Sequence, residues 1–271
     1  MTNNTTTDLI TQLSHPDGSL RREAALRLGA THDPAAGDAL IERLRVEENS
    51  RVREDLTWAA VQHSEALMPR LLTMLSDPDP RARRIGAHVL SKVGDPARLP
   101  ELLPLVDDAD ASVAIKAYRA VANTGRPEAL GPLAGRLGDG DALQKDALTG
   151  AFHRFGELSV GPLVAALADE DADVRTHAAD ALGHLGTDAD AAADALDALT
   201  ADAEPAVRVA AVAALGQLGD VADAPLQRLT ASEDATVAGI ASRLQAKRAG
   251  ERRRADLREQ VRARAKAQAE A

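Results

Sequence analysis

The sequence predicts an all-α fold of eight tandem two-helix repeats. Three observations carry that prediction: a segment that returns along the chain, a row of helix-capping residues in step with it, and a composition built on small side chains. The clearest return is DADVRTHAADALGHLG at 171–186, echoed by AEPAVRVAAVAALGQLG at 203–219. Taking the position before the arginine as anchor, the copies stand at Leu20, Val52, Ala82, Val113, Gln144, Val174, Val207 and Val237, spaced by 30 to 33 residues. Across 271 residues there are two Phe, one Tyr, one Trp and no Cys, while roughly a fifth of the positions are Ala. Small residues suit helices that approach closely, and a chain without cysteine has no disulfides, Cys-based metal sites or thiol nucleophiles.

Each element follows from this register. Three residues before the anchors stand Asp17, Asn49, Asp79, Asp110, Asp141, Asp171, Glu204 and Asp234, which can accept hydrogen bonds from the open amides of a starting helix. Eight residues past the anchors come Leu28, Ala60, Leu90, Val121, Phe152, Leu182, Leu215 and Gln245; with a small or apolar residue between, positions i, i+4 and i+8 make one stripe. Twelve past, Gly94, Gly125, Gly156, Gly186 and Gly219 suit the left-handed turn that ends a helix, whereas repeats 1 and 2 have His32 and Ser64 there. A second apolar-periodic segment precedes each anchor, for example Leu67, Met68, Leu71, Leu72 and Leu75, or Val160, Leu163, Val164 and Leu167. Pro69, Pro100, Pro132, Pro162 and Pro225 are expected in or near the first turns of these leading helices.

The formal charge is -10, from 42 acidic and 32 basic residues. A body of that sign argues against nonspecific nucleic-acid binding. Lysine is scarce and Asp outnumbers Glu. That composition resembles proteins of salt-loving archaea, and GC-rich coding bias produces the same pattern. With no apolar run of about 18 residues and no basic, apolar leader at the start of the chain, the expectation is a soluble cytoplasmic protein without a membrane role.

On these residues the chain resembles HEAT repeats, in particular the PBS-lyase HEAT-like variety, over about residues 5–250, most closely at Val174–Gly186 and Val207–Gly219. The resemblance implies an α-solenoid, a right-handed superhelix with the second helix of each repeat lining a concave face. It also implies a ladder of turn Asp and helix Arg between neighbouring repeats. Here the Arg row reads Arg21, Arg53, Arg83, Ala114, Lys145, Arg175, Arg208 and Ala238, with breaks at repeats 4 and 8. Residues 1–250 are assigned to the repeat array and 251–271 to a basic C-terminal helix or tail. From Lys247 the chain holds nine basic and four acidic residues, with Arg252, Arg253, Arg254, Arg258, Arg262 and Arg264 as its arginine cluster and Leu257 and Val261 at i, i+4. Such a segment is a solvated helix, a dock for an acidic surface, or an arm for a phosphate backbone; it has no interleaved aromatics for base stacking.

Motifs for catalysis are not found. None of the seven histidines is followed by Glu, so the His-Glu pairs with which the deoxyhypusine hydroxylases, built on similar repeats, hold two irons are missing. His177 and His184, seven apart, could share a helical face, but isolated surface histidines are the expected reading. Four aromatics are too few for the tetrapyrrole of the phycobilin lyases or the distorted base held by alkylpurine DNA glycosylases. Phosphate-loop, dinucleotide and hydrolase motifs are absent. The expectation is therefore no enzyme, no cofactor and no metal.

The second helices then name the binding candidates. Positions six past the anchors (Leu26, Trp58, His88, Arg119, Gly150, Asp180, Ala213) and ten past (Ala30, Gln62, Lys92, Asn123, Arg154, His184, Gln217) are expected on the concave face. Arg84, His88, Lys92, Lys116, Arg119 and Arg154 gather there as an island of positive charge suited to an acidic peptide or protein segment, because guanidinium forks pair carboxylates bidentately. Trp58 beside it is either a recognition anchor or filler for the weak stripe of Leu56 and Ala60. The reading is a noncatalytic scaffold or adaptor, a monomer or weak oligomer, binding a protein partner on that face. Its alternatives are an accessory factor of a nucleic-acid or ribosomal complex acting through the tail, and a HEAT-like lyase or di-iron oxygenase.

Overall fold

The computed structural model describes residues 5–31 and 33–269, with side chains to Arg262, so that His32 and the Arg264 side chain lie outside what is described. The helices come in pairs: α1 (Thr6–Gln12) and α2 (Gly18–Gly29), α3 (Pro34–Val46) and α4 (Ser50–Gln62), α5 (Ser64–Met74) and α6 (Pro80–Val93), α7 (Leu99–Leu102) and α8 (Ala111–Asn123), α9 (Leu130–Ala134) and α10 (Ala142–Phe155), α11 (Val160–Ala166) and α12 (Ala172–Leu185), α13 (Ala193–Leu199) and α14 (Pro205–Leu215), and α15 (Asp223–Leu229) and α16 (Ala235–Ala269). No strand occurs among the described residues. The fold is an all-α solenoid in two compact units. The first runs to Arg136 and takes in Gly140–Phe155; in it α2, α4, α6, α8 and α10 pack side by side behind the leading helices. The second holds Leu137–Asp139 and the chain from Gly156, with α12, α14 and α16 in a row.

The caps form where the register places them. Asp17, Asn49, Asp79, Asp110 and Asp171 each accept a hydrogen bond from the amide two residues on, as Asp234 does from Thr236, and Asp141 accepts from the Gln144 amide. Glu204 makes no cap bond; its extra methylene carries the carboxylate past the amides that Asp reaches. The stripe packs as its periodicity requires, with Leu28, Ala60, Val121, Phe152, Leu182 and Leu215 fully buried. Tyr118, Phe152 and Phe155 are buried as well, which leaves Trp58 as the one exposed aromatic among the described residues.

Other expectations are corrected. Gly94, Gly125, Gly156 and Gly186 have positive φ, but Gly219 has φ -67°. Gly219 is small for a different reason: its amide donates to Asp190 Oδ1 at 2.7 Å, and a Cβ there would lie 2.6 Å from Asp190 Oδ2. Pro69 lies inside α5, which begins at Ser64 directly after α4, so it is not in a first turn. The leading segments of repeats 4 and 5 are not full helices but short pieces flanked by 3-10 turns at Pro96–Arg98, Leu103–Asp107 and Pro127–Ala129. Closely spaced prolines remove the amides a longer helix would need.

The arginine ladder uses a different acid from the one expected. Arg83 donates through Nε and Nη2 to Asp108, and Arg175 does so to Asp202, both carboxylates lying two residues before the next repeat's cap. Arg21 pairs in the same way with Glu47. For Arg208 the partner is the cap itself, Asp234. A second arm of each guanidinium ties the repeat's own turn, as Arg83 Nη1 does to the carbonyls of Asp77 and Pro78. Glu47 is 1% exposed and also receives Arg43 and the Asn49 amide. Burial alone would raise its carboxyl, yet these hydrogen bonds reverse the effect and hold it at about 2. Arg53 ties only its own turn, through the carbonyls of Glu47 and Glu48, and Ala114 leaves a rung empty.

The final helix continues without a break from Ala235 to Ala269. Its first part is fixed: Arg248 donates to Asp223 at 2.8 Å and to the carbonyls of Leu218 and Gly219. From Glu251 to Arg262 every side chain is exposed. No described helix is long and apolar enough to cross a membrane.

Candidate partner-binding face

The island cations of the expected face fall in the first unit, on α6, α8 and α10, around two adjoining cavities. Arg84, His88 and Lys116, with Arg53, Glu54 and Thr57, line one of about 210 Å³. Lys116 also lines the second, of about 400 Å³, together with Arg119, His153 and Arg154. Lys116 therefore joins them.

Charge balance separates these residues. Many arginines of this chain hold a carboxylate, such as Arg22 with Asp55, Arg70 with Asp38 and Glu42, and Arg136 with Asp107. Among the described residues Arg84, Lys116, Arg119 and Arg154 make no ion pair or hydrogen bond. Burial draws the Arg84 guanidinium below its usual range, and the charges of Arg53 and Arg81 add to the effect. Lys116 is lowered in the same way, by burial first and then by Arg84 and Arg119. His88 is pushed down to about 4 by burial and by Lys116, so it is neutral at pH 7 and adds no cation. Its Nδ1 is buried without a hydrogen-bond partner. Such mutual repulsion is relieved when an anion arrives.

Lys92 does not stand with the free cations. Its Nζ donates to Glu54 Oε1 at 2.9 Å, and His88 Nε2 lies 3.9 Å from the same carboxylate. Glu54 was not foreseen; it occupies on α4 the register position that Arg84 holds on α6, and that equivalence is the signal that could have found it. Trp58 is 46% exposed, whereas Leu56 and Ala60 are buried, so the indole does not fill their stripe. It leans on α2 instead, where a Cβ at Gly29 would lie 2.7 Å from its Cζ3.

His184 lies in the second unit, lining an open cleft of about 510 Å³ with Asp180, Gly183, Ala213 and Gln217, its Nδ1 2.8 Å from the Asp180 carbonyl. His177 is buried and accepts the Gly138 amide, so the two histidines share no face. His63 is buried too, bonded to the Leu28 carbonyl, which corrects the expectation that the histidines are surface residues. No group of three or more His, Asp or Glu among the described residues could hold a metal ion. In the tail, Arg252 pairs with Asp223 while Arg253, Arg254, Arg258 and Arg262 are exposed.

The sequence matches the family model for HEAT repeats at residues 68–151 and 160–246, and that for the PBS lyase HEAT-like repeat at 20–45. No curated protein matches it. Among solved structures it is similar to the complex of CpcE and CpcF of phycocyanin lyase from a Nostoc species (23% identity, 91% of this chain and 96% of that one, TM-score 0.41) and to human deoxyhypusine hydroxylase (19% identity, 88% and 94%, TM-score 0.38). It is also similar to the karyopherin Kap121p bound to the extreme C-terminus of the protein phosphatase Cdc14p (17% identity, 89% of this chain and 33% of that one, TM-score 0.56). The expectation that the chain is no enzyme is corrected: the match to the PBS lyase HEAT-like repeat at 20–45 leaves a lyase role open.

Proposed function

The chain belongs to the HEAT repeat family, and on that premise we propose that it is a scaffold that holds an acidic segment of another protein on the concave face, over α6, α8 and α10. One observation carries this reading: Arg84, Lys116, Arg119 and Arg154 stand together with no carboxylate bonded to any of them, in a protein of net charge -10. Guanidinium forks bind carboxylates bidentately at short range, which keeps them effective in salt. Trp58, His88 and Lys92 border the site, and Glu54 competes for it. A solenoid offers such extended faces for recognition, and the karyopherin of similar fold is itself bound to a protein terminus. In this reading residues 1–250 form the array and 251–271 an appendage. Affinity purification with the native chain and with Arg119→Glu/Arg154→Glu tests the proposal. Loss of acidic partners in the variant supports it, and an unchanged partner set refutes it.

A second reading, a lyase role, is favoured by the PBS lyase repeat at 20–45. Incubation with an open-chain tetrapyrrole tests it: a coloured, covalently loaded product supports it, and recovery of free pigment alone refutes it. The exposed arginines of α16 favour a contact with phosphate backbones. Binding of RNA that weakens steeply with salt and disappears on deletion of 251–271 would establish it, and unchanged binding would dismiss it.

A further inference from the structure

The face that presents free cations on α8 and α10 presents apolar surface on α2 and α4. At the shared register, six residues past the anchors, stand Leu26, Trp58, His88 and Arg119 on four successive second helices. Leu26 is 42% and Trp58 46% exposed, in a chain whose other described aromatics are buried. Trp58 is not loosely displayed. The missing side chain of Gly29 lets α2 and α4 close to the point where a Cβ would lie 2.7 Å from the indole Cζ3 and 2.9 Å from the Ala59 Cα. One side of the ring is braced and the other is open, as in a preorganised anchor site, where little ordering entropy is lost on binding.

Resting on the acidic-segment reading above, we infer that the segment bound here carries an apolar residue that seats on Trp58 and Leu26, a fixed distance from its acidic run. Packed helix axes lie about 8–10 Å apart, so the two steps from α4 to α8 separate Trp58 from Arg119 by about 18 Å. An extended peptide advances about 3.3 Å per residue, which places the anchor five to six residues, roughly, from the first carboxylate. Arg154, one helix further on, takes the far end of the run. An acidic segment without the anchor meets only the cations; an apolar one without acid leaves them unpaired. The face thus selects a segment with both.

Trp58 is the sole tryptophan, so its emission reads the anchor site directly. The probes are three fluorescein-labelled peptides, each made in both chain directions: a Glu run with Leu six residues away, the same peptide with Ser for Leu, and one with Leu adjacent to the run. Affinity is read from anisotropy, and unlabelled peptides are used for Trp58 emission and acrylamide quenching. In at least one direction the spaced Leu peptide binds about tenfold tighter than the other two, blue-shifts the emission and protects it from quenching. Trp58→Ala and, separately, Leu26→Ala, each verified to be helical, reduce the tenfold advantage, while Arg119→Glu/Arg154→Glu weakens binding of all three peptides at least tenfold. Equal affinities for the Leu and Ser peptides, or unchanged emission at saturation, overturn the anchor and leave the acidic reading in place. If no acidic peptide binds, the acidic reading falls and the anchor with it.

Discussion

Replacing Glu47 by Gln removes the most strongly perturbed carboxylate of the first unit, and its effect follows from the structure. The side chain is 1% exposed and held by Arg21, Arg43 and the Asn49 amide, with its carboxyl at about 2 against an ordinary 4.5. At about 1.36 kcal/mol per pH unit, the difference is worth about 3 kcal/mol. Because the folded value is depressed, this contribution is fully present above pH 4.5 and is lost as the pH falls toward 2. Urea denaturation followed by Trp58, which stands in the adjoining α4, reports this region. At pH 7 the variant should be less stable by about 3 kcal/mol, a gap that shrinks steadily from pH 4.5 and closes near pH 2. A gap that stays constant with pH, or one below about 0.5 kcal/mol at pH 7, as for an exposed ion pair, would refute the reasoning.

Other outcomes follow from local geometry. Gly186→Ala, at φ 60° and ψ -131°, should cost about 1–3 kcal/mol in urea denaturation because that region is strained for any side chain, whereas Gly250→Ala, with open space at its Cβ inside α16, should be neutral or stabilising. Asp79→Ala deletes a cap bond and should cost about 1 kcal/mol; Glu204→Ala, which caps nothing, should change stability by less than about 0.5 kcal/mol. Raising KCl from 0.1 to 2 M should raise the melting temperature of a chain of net charge -10, as self-repulsion is screened while the half-buried ladder pairs are spared; a fall would count against that balance.

The parts of the fold legible in the sequence were those decided within one helix or turn. The Asp caps depend on the next two or three amides, and the stripe from Val52 to Ala60 depends on helical period, so both could be read from spacing. What depended on packing between repeats could not. That Arg83 would take Asp108 rather than the cap Asp110 is set by where the next turn lies, and that Gly219 is small for Asp190 needs the neighbouring repeat. The candidate face divides the same way. Its register placed Arg84, His88, Lys116, Arg119 and Arg154 around adjoining cavities. Yet the pairing of Lys92 with Glu54, the neutrality of His88 and the bracing of Trp58 by Gly29 arise only when neighbouring helices come together.

The measurement that tests the central claim most directly is the titration of a labelled Glu-rich peptide against three forms of the protein at 0.15 M salt. The account predicts saturable binding to the native chain, tighter binding to Glu54→Gln, in which the competing carboxylate is gone, and loss of at least tenfold in affinity for Arg119→Glu/Arg154→Glu. Equal affinity across the three forms, or no binding to the native chain, would contradict it.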